Sequence, residues 1–89
     1  MTAAEIAQKA AEIVSGDRAQ THGDMRENFQ RIATLWGAYL GTDISAIDVG
    51  QMMILLKMAR AKSGTLHADH FIDQAGYAAC TGQIATEGN

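Results

Sequence analysis

Residues 49–62, "VGQMMILLKMARAK", put apolar side chains on nearly every face of a helix until Lys57 interrupts them. A helix that is greasy all round is either central to a bundle or shared between subunits. In a chain of 89 residues, three neighbouring helices do not easily surround a fourth. Met52, Met53, Ile54, Leu55, Leu56 and Met58 are therefore expected to cover both an intrachain core and a second copy of the chain, making a homo-oligomer. The competing reading is a helix simply central to a monomeric bundle.

Working outward, the segment is entered through "GTDIS", where Ser45 stands at the capping position and Asp48 at the third helical position. Upstream, Asp24 and Glu27 have capping spacing, and Met25, Phe29, Ile32, Trp36 and Tyr39 or Leu40 hold the helical period until Gly41. The first helix begins at Thr2, three residues before Glu5, and carries Ile6, Ala10, Ile13 and Val14 on one stripe before Gly16 stops it. Downstream, a helix runs from near Asp69 to about Thr86, with Ala75, Gly76 and Ala79 forming a small face suited to close approach of another backbone. The expected fold is all-α, a single-domain bundle of about four helices over residues 1–89, with no repeat, linker or internal boundary.

Composition narrows the function. A single domain of this length buries roughly 60% of its unfolded surface, so a partner subunit adds stability. The net charge of −3 and a pI near 5.4 lack the basic footprint of a nucleic-acid-coating protein. Cys80 is the only cysteine, which excludes an intrachain disulfide and a cysteine-rich zinc site and fits a reducing cytoplasm; a lone helical thiol reads as a small core residue. No run reaches the roughly 18 apolar residues a membrane span needs, so a cytoplasmic protein without a membrane partner is expected.

The polar residues gather near helix ends. Asp69, Asp73 and Tyr77 are spaced i, i+4, i+8 and share one ridge. Two carboxylates on one ridge repel unless a divalent ion or a cation from a neighbouring helix stands between them, and Lys57 and Arg60 precede the turn that leads there. Helix-dipole effects account for Asp69 and Lys62, whereas Asp73 lies a full turn in and reads as a buried, paired carboxylate. His67 and His70 at the same turn have the residue type for zinc or phosphate, and are equally ordinary exposed histidines. In "RAQTHGDMRENF", Arg18, His22 and Arg26 surround a helix N-terminus, whose free amides suit an anion. Trp36 falls on an apolar stripe and reads as core, with stacking on a base as the alternative.

The stretches "DRAQTHGDMRENFQRIATLWGAYLG", "MMILLKMARAKSG" and "HADHFIDQAGYAA" resemble, over residues 17 to 85, a family of small proteins of unknown function encoded by tailed phages and prophages. The resemblance implies an accessory protein working in the host cytoplasm. More distantly, a lysine-to-arginine helix followed by D-x-x-x-D-x-x-x-Y is similar to phage domains associated with nucleotide modification and to MazG-like all-α NTP pyrophosphohydrolases. Those enzymes use E-x-x-E and E-x-x-D boxes with magnesium, whereas the acidic pairs here are Asp24 with Glu27 and Asp69 with Asp73.

Cations, amides and a stacking surface favour recognition of a nucleotide over its hydrolysis. The expected function is binding of a nucleotide-derived anion, used to sequester a host defence signalling nucleotide, with no catalytic residue and no cofactor. Arg18, His22, Lys57 and Arg60 would contact phosphates, Tyr77 or Trp36 would pack on a base, and Asp73 would orient a cation or a ribose hydroxyl. The alternatives are a Mg²⁺-dependent pyrophosphohydrolase with Glu27, Asp69 and Asp73 on the metal, and a module that docks its third helix on a host protein.

Overall fold

The structure is a computed structural model that describes residues 1–16, 24–62 and 66–87. Those residues form a four-helix all-α bundle: α1 (Ala3–Ser15), α2 (Met25–Leu40), α3 (Ala46–Lys62) and α4 (Ala68–Thr86). Local hydrogen bonds set most of the boundaries. Thr2 N–H donates to Glu5 Oε1 at 2.9 Å while Glu5 N–H donates to Thr2 Oγ1 at 3.1 Å, so two otherwise orphaned amides are satisfied reciprocally. The bond accepted from the Thr2 amide, and then that from the Thr2 side chain, holds the Glu5 carboxyl below its ordinary pKa, so this exposed cap is intact above the usual carboxylate range and loosens as acid protonates it.

At the start of α2, Asp24 Oδ1 accepts from Glu27 N–H at 3.2 Å. Before α3, Ser45 and Asp48 repeat the reciprocal arrangement at 2.9 and 3.0 Å, with aspartate in place of the usual glutamate. Gly41 ends α2 at φ +72°, the left-handed conformation that a side chain resists, and its amide closes on the Gly37 carbonyl at 2.8 Å. Helix α4 begins one residue earlier than expected and without help: His67 stands at its N-cap with no side-chain capping bond.

The most extensive helix pair is α3 with α4; α1 packs on α4 and α2 on α3. Phe29, Ala33, Ala46, Val49 and Ile84 are buried where α2, α3 and α4 meet, and Met25, Ile32, Trp36, Ile44, Met53, Tyr77 and Cys80 pack around them. Each fully buried large apolar side chain contributes about 1.5–3 kcal/mol. Ala10 is buried and Ile6, Ile13 and Val14 are half-buried, as the first stripe requires. The second stripe stops short of its expected end. Tyr39 is 90% exposed and Leu40 is exposed, and it is Ile44, beyond the turn, that joins the core instead.

The tightest approach between helices lies at Gly50. A Cβ there would overlap the Thr81 hydroxyl and come within 2.9 Å of Thr81 Cβ and 3.0 Å of its Cγ2. Thr81 is buried, and its Oγ1 donates to the Tyr77 carbonyl at 2.6 Å, turning the hydroxyl back onto its own helix. The close approach expected at Ala75, Gly76 and Ala79 is therefore misplaced: Ala79 is exposed, and a Cβ on Gly76 would meet Val14 Cγ1 at an ordinary 3.6 Å. Gly76→Ala is accordingly expected to stabilise the bundle by about 0.5–1 kcal/mol, because alanine has less chain entropy to lose in a helix. Thermal denaturation checks it, and a lowered midpoint would show that the α1–α4 contact is closer than ordinary van der Waals distance.

Helix α3 is less uniform in use than in composition. Val49, Gly50, Met53, Lys57 and Ala61 turn toward neighbouring helices, while Met52, Leu55, Leu56 and Met58 remain exposed. Among the described residues no helix is long and apolar enough to cross a membrane.

Candidate functional site: a groove between the first, second and fourth helices

One ridge of α4, spaced at three and four residues through Ile72, Asp73, Gly76, Tyr77, Cys80 and Gln83, forms the floor of a groove of about 890 Å³. Ile13 and Val14 at the end of α1 make one wall, and Asp24, Met25, Asn28 and Phe29 at the start of α2 make the other. This volume falls in the range of small-molecule sites. Its apolar lining includes an aromatic pair, in which the rings of the buried Phe29 and the half-buried Tyr77 lie 6.2 Å apart and tilted by 33°. That separation lies within the roughly 4.5–7 Å over which aromatic pairs attract, with the rings tilted between stacked and edge-on.

The polar part is unevenly charged. Asp24, Asp73 and Glu87 border the groove, and Arg26 is its one cationic lining residue among the described residues. Arg26 is already engaged: its Nη2 donates to the Glu87 carbonyl at 3.0 Å and to the Ile84 carbonyl at 3.4 Å, and sits 3.6 Å from the Glu87 carboxylate. A guanidinium at these carbonyls satisfies the open end of α4 and complements its dipole. Asp73 is engaged as well. Lys57 Nζ lies 3.0 Å from its Oδ2, with the two side chains only 16% and 23% exposed. The expected cation from the neighbouring helix is thus Lys57, and the pair pins α3 to the floor of the groove.

The remaining sequence-derived candidates divide. Tyr77 lines the groove, half-buried. Trp36 does not line it; it packs against the core cluster, the reading its apolar stripe favoured. Arg60 and Asp69 are exposed and stand outside the groove lining. Glu27 faces a separate, shallower recess with Gln30, Arg31 and Thr34. Glu27, Asp69 and Asp73 therefore do not gather around a single ion, and among the described residues no group of three histidines, cysteines or carboxylates has metal-holding geometry. The rings of His67 and His70 lie 5.9 Å apart, with no third ligand among the described residues. Arg18 and His22 lie outside the described residues, in the stretch between Val14 and Asp24, both of which border the groove.

Three lining residues were placed on their helices by the sequence but not assigned to a site: Asn28 among the polar groups at the start of the second helix, Cys80 as a small core residue and Gln83 on the period of the last helix. Asn28 is one turn beyond Asp24, and Cys80 and Gln83 continue the ridge of Asp73 and Tyr77, so helical spacing alone would have found them.

Residues 5–85 match the domain of unknown function DUF6378. The chain belongs to the DUF6378 family. This DUF6378 chain is 45% identical over 82 residues to the gene 55 protein of Mycobacterium phage D29, an alignment covering 92% of the chain and 54% of that relative. It is 54% identical over 70 residues to the gene 55 protein of Mycobacterium phage L5, covering 78% of the chain and 45% of that relative. The chain thus spans about half the length of the curated relatives it matches. No solved structure matches the DUF6378 chain. The resemblance to phage proteins of unknown function is borne out.

Proposed function

We propose that this DUF6378 protein is a phage accessory protein of the host cytoplasm that self-associates and binds a nucleotide-derived small molecule in the α1–α2–α4 groove, sequestering a host signalling nucleotide. The observation that carries the reading is the groove's division of labour: the half-buried Tyr77 ring, backed by the buried Phe29, flanked by the amides of Asn28 and Gln83 and by the Asp73 carboxylate. A heterocyclic base needs a stacking surface and amide groups that both donate and accept, and a ribose hydroxyl is a natural donor to a carboxylate. Lys57 holds Asp73 in one orientation, so the carboxylate is positioned before a ligand arrives.

The acidic lining orients the ligand. Phosphates placed beside Asp24 and Asp73 would be repelled, so the base and sugar enter the groove and the phosphates point outward. Lys57 and Arg60 are reassigned accordingly: Lys57 positions Asp73, and Arg60 lies away from the groove. Phosphate contacts fall to Arg18 and His22. No observation favours the Mg²⁺ pyrophosphohydrolase, whose three carboxylates stand apart.

Isothermal titration of the protein against mono- and cyclic nucleotides is the test. Binding by at least one of them is expected, weakened roughly tenfold by Gln83→Ala, which removes one hydrogen bond worth about 1.4 kcal/mol from an exposed position. Absence of heat across the panel at near-millimolar ligand would overturn the reading.

A further inference from the structure

We infer that α3 is the seam of a two-fold dimer in which the α3 helices of two chains lie antiparallel, centred near Leu55. The inference rests on the self-association reading above and is independent of the ligand. On the side of α3 turned away from its own bundle, Asp48, Met52, Leu55, Ala59 and Lys62 are all exposed and follow one another at intervals of four, three, four and three residues. That is the spacing of a helix–helix seam, a stripe that stays on one side of the helix for its whole length. Leu55, at its middle, is 60% exposed and Met52 is 36% exposed, while Leu56 and Met58 at the edges of the stripe are 41% and 50% exposed. Apolar area concentrated in this way on a small chain marks an association surface rather than scattered exposure.

The charges select the occupant. The stripe begins with a carboxylate, Asp48, and ends with an ammonium, Lys62, with Leu55 midway between them. A two-fold axis through the middle of a helix face sends each end of that face to the opposite end of its copy. An antiparallel copy therefore sets Asp48 of each chain near Lys62 of the other, closing both ends of the apolar seam with opposite charges. A parallel copy would set like charge against like at both ends. The pattern is complementary to itself in one orientation only, which is the signature of a second copy of this chain rather than of an unrelated partner. A seam one helix long is smaller than the roughly 800 Å² per partner of a standard stable interface, so association in the micromolar range is expected.

Sedimentation equilibrium of the whole chain from about 10 to 500 µM, a range set by that expected weakness, reads the outcome. The wild-type chain is expected to dimerise, Leu55→Glu to remain monomeric with unchanged helical circular dichroism, and Lys62→Glu to dimerise roughly tenfold more weakly, because two attractive end contacts become repulsive. In a parallel seam Lys62→Glu would exchange one like-charged pair for another and leave the constant unchanged. A wild-type dimer that Leu55→Glu disrupts and Lys62→Glu does not would overturn the antiparallel seam and leave self-association standing. A dimer indifferent to Leu55→Glu would place the interface elsewhere and overturn the seam altogether. A wild-type monomer throughout the range would overturn both, and would return the apolar stripe to a host protein.

Discussion

Gly50→Ala is expected to lower the free energy of unfolding by about 3 kcal/mol, the upper part of the range for forcing an extra carbon into a packed interior. For a chain of this size that is a fall in the melting midpoint on the order of 10–20 °C. The cause is specific. The new methyl would overlap the Thr81 hydroxyl and press on its Cβ and Cγ2, and Thr81 is β-branched, buried and hydrogen-bonded to the Tyr77 carbonyl, so it has no free rotamer into which to retreat. The most extensive helix pair of the bundle would have to part to admit it. Thr81→Ala removes the hydroxyl and one methyl but leaves Cβ facing Cβ, so the double variant should recover part of the loss. Urea denaturation of both single variants and the double variant gives the coupling directly. Simple additivity would show that Gly50 and Thr81 are not in contact.

The second large effect concerns Lys57 and Asp73. Lys57→Met is expected to cost about 2 kcal/mol, because it strands a mostly buried carboxylate on the floor of a groove whose wall already carries Asp24. Asp73→Asn should cost less, about 1 kcal/mol, since a lone lysine can slide its ammonium to water along its own alkyl stem. The variant lacking both charges should be closer to the wild type than the sum of the two losses predicts. Denaturation at low and at high salt separates this from a solvated ion pair. A surface pair would contribute less than about 1 kcal/mol and fade with salt, whereas a pair only 16% and 23% exposed should keep most of its contribution.

What could be read from the residues alone follows the range over which each interaction acts. The caps at Thr2, Asp24 and Ser45 were legible because a cap is closed within three residues, and the chain there carries both partners. The Lys57–Asp73 pair was legible because two successive helices only a few residues apart in sequence fold back on each other, which places the end of α3 beside the start of α4. Gly50 was not, because a close approach depends on what stands opposite, and Thr81 is 31 positions away with nothing in its neighbourhood to announce it. The same limit misplaced Tyr39 and Leu40. They continue the helical period of α2, but α2 rests on α3, and the chain reaches the core again only at Ile44. The groove was half legible: the ridge through Asp73 and Tyr77 was found, while the wall opposite it depends on how α1 and α2 are set around α4.

The way the helices are paired also bears on how the chain acquires its shape. Helices α3 and α4 are consecutive and share the largest contact, so their docking closes only a short loop and loses little chain entropy. Such a hairpin is a natural nucleus, with α2 condensing onto its α3 side. Helix α1 rests on α4, the described helix farthest from it in sequence, and so cannot find its place until α4 has been made. One wall of the groove thus depends on the longest-range helix contact of the bundle, and the site it completes is expected to form after the α3–α4 hairpin.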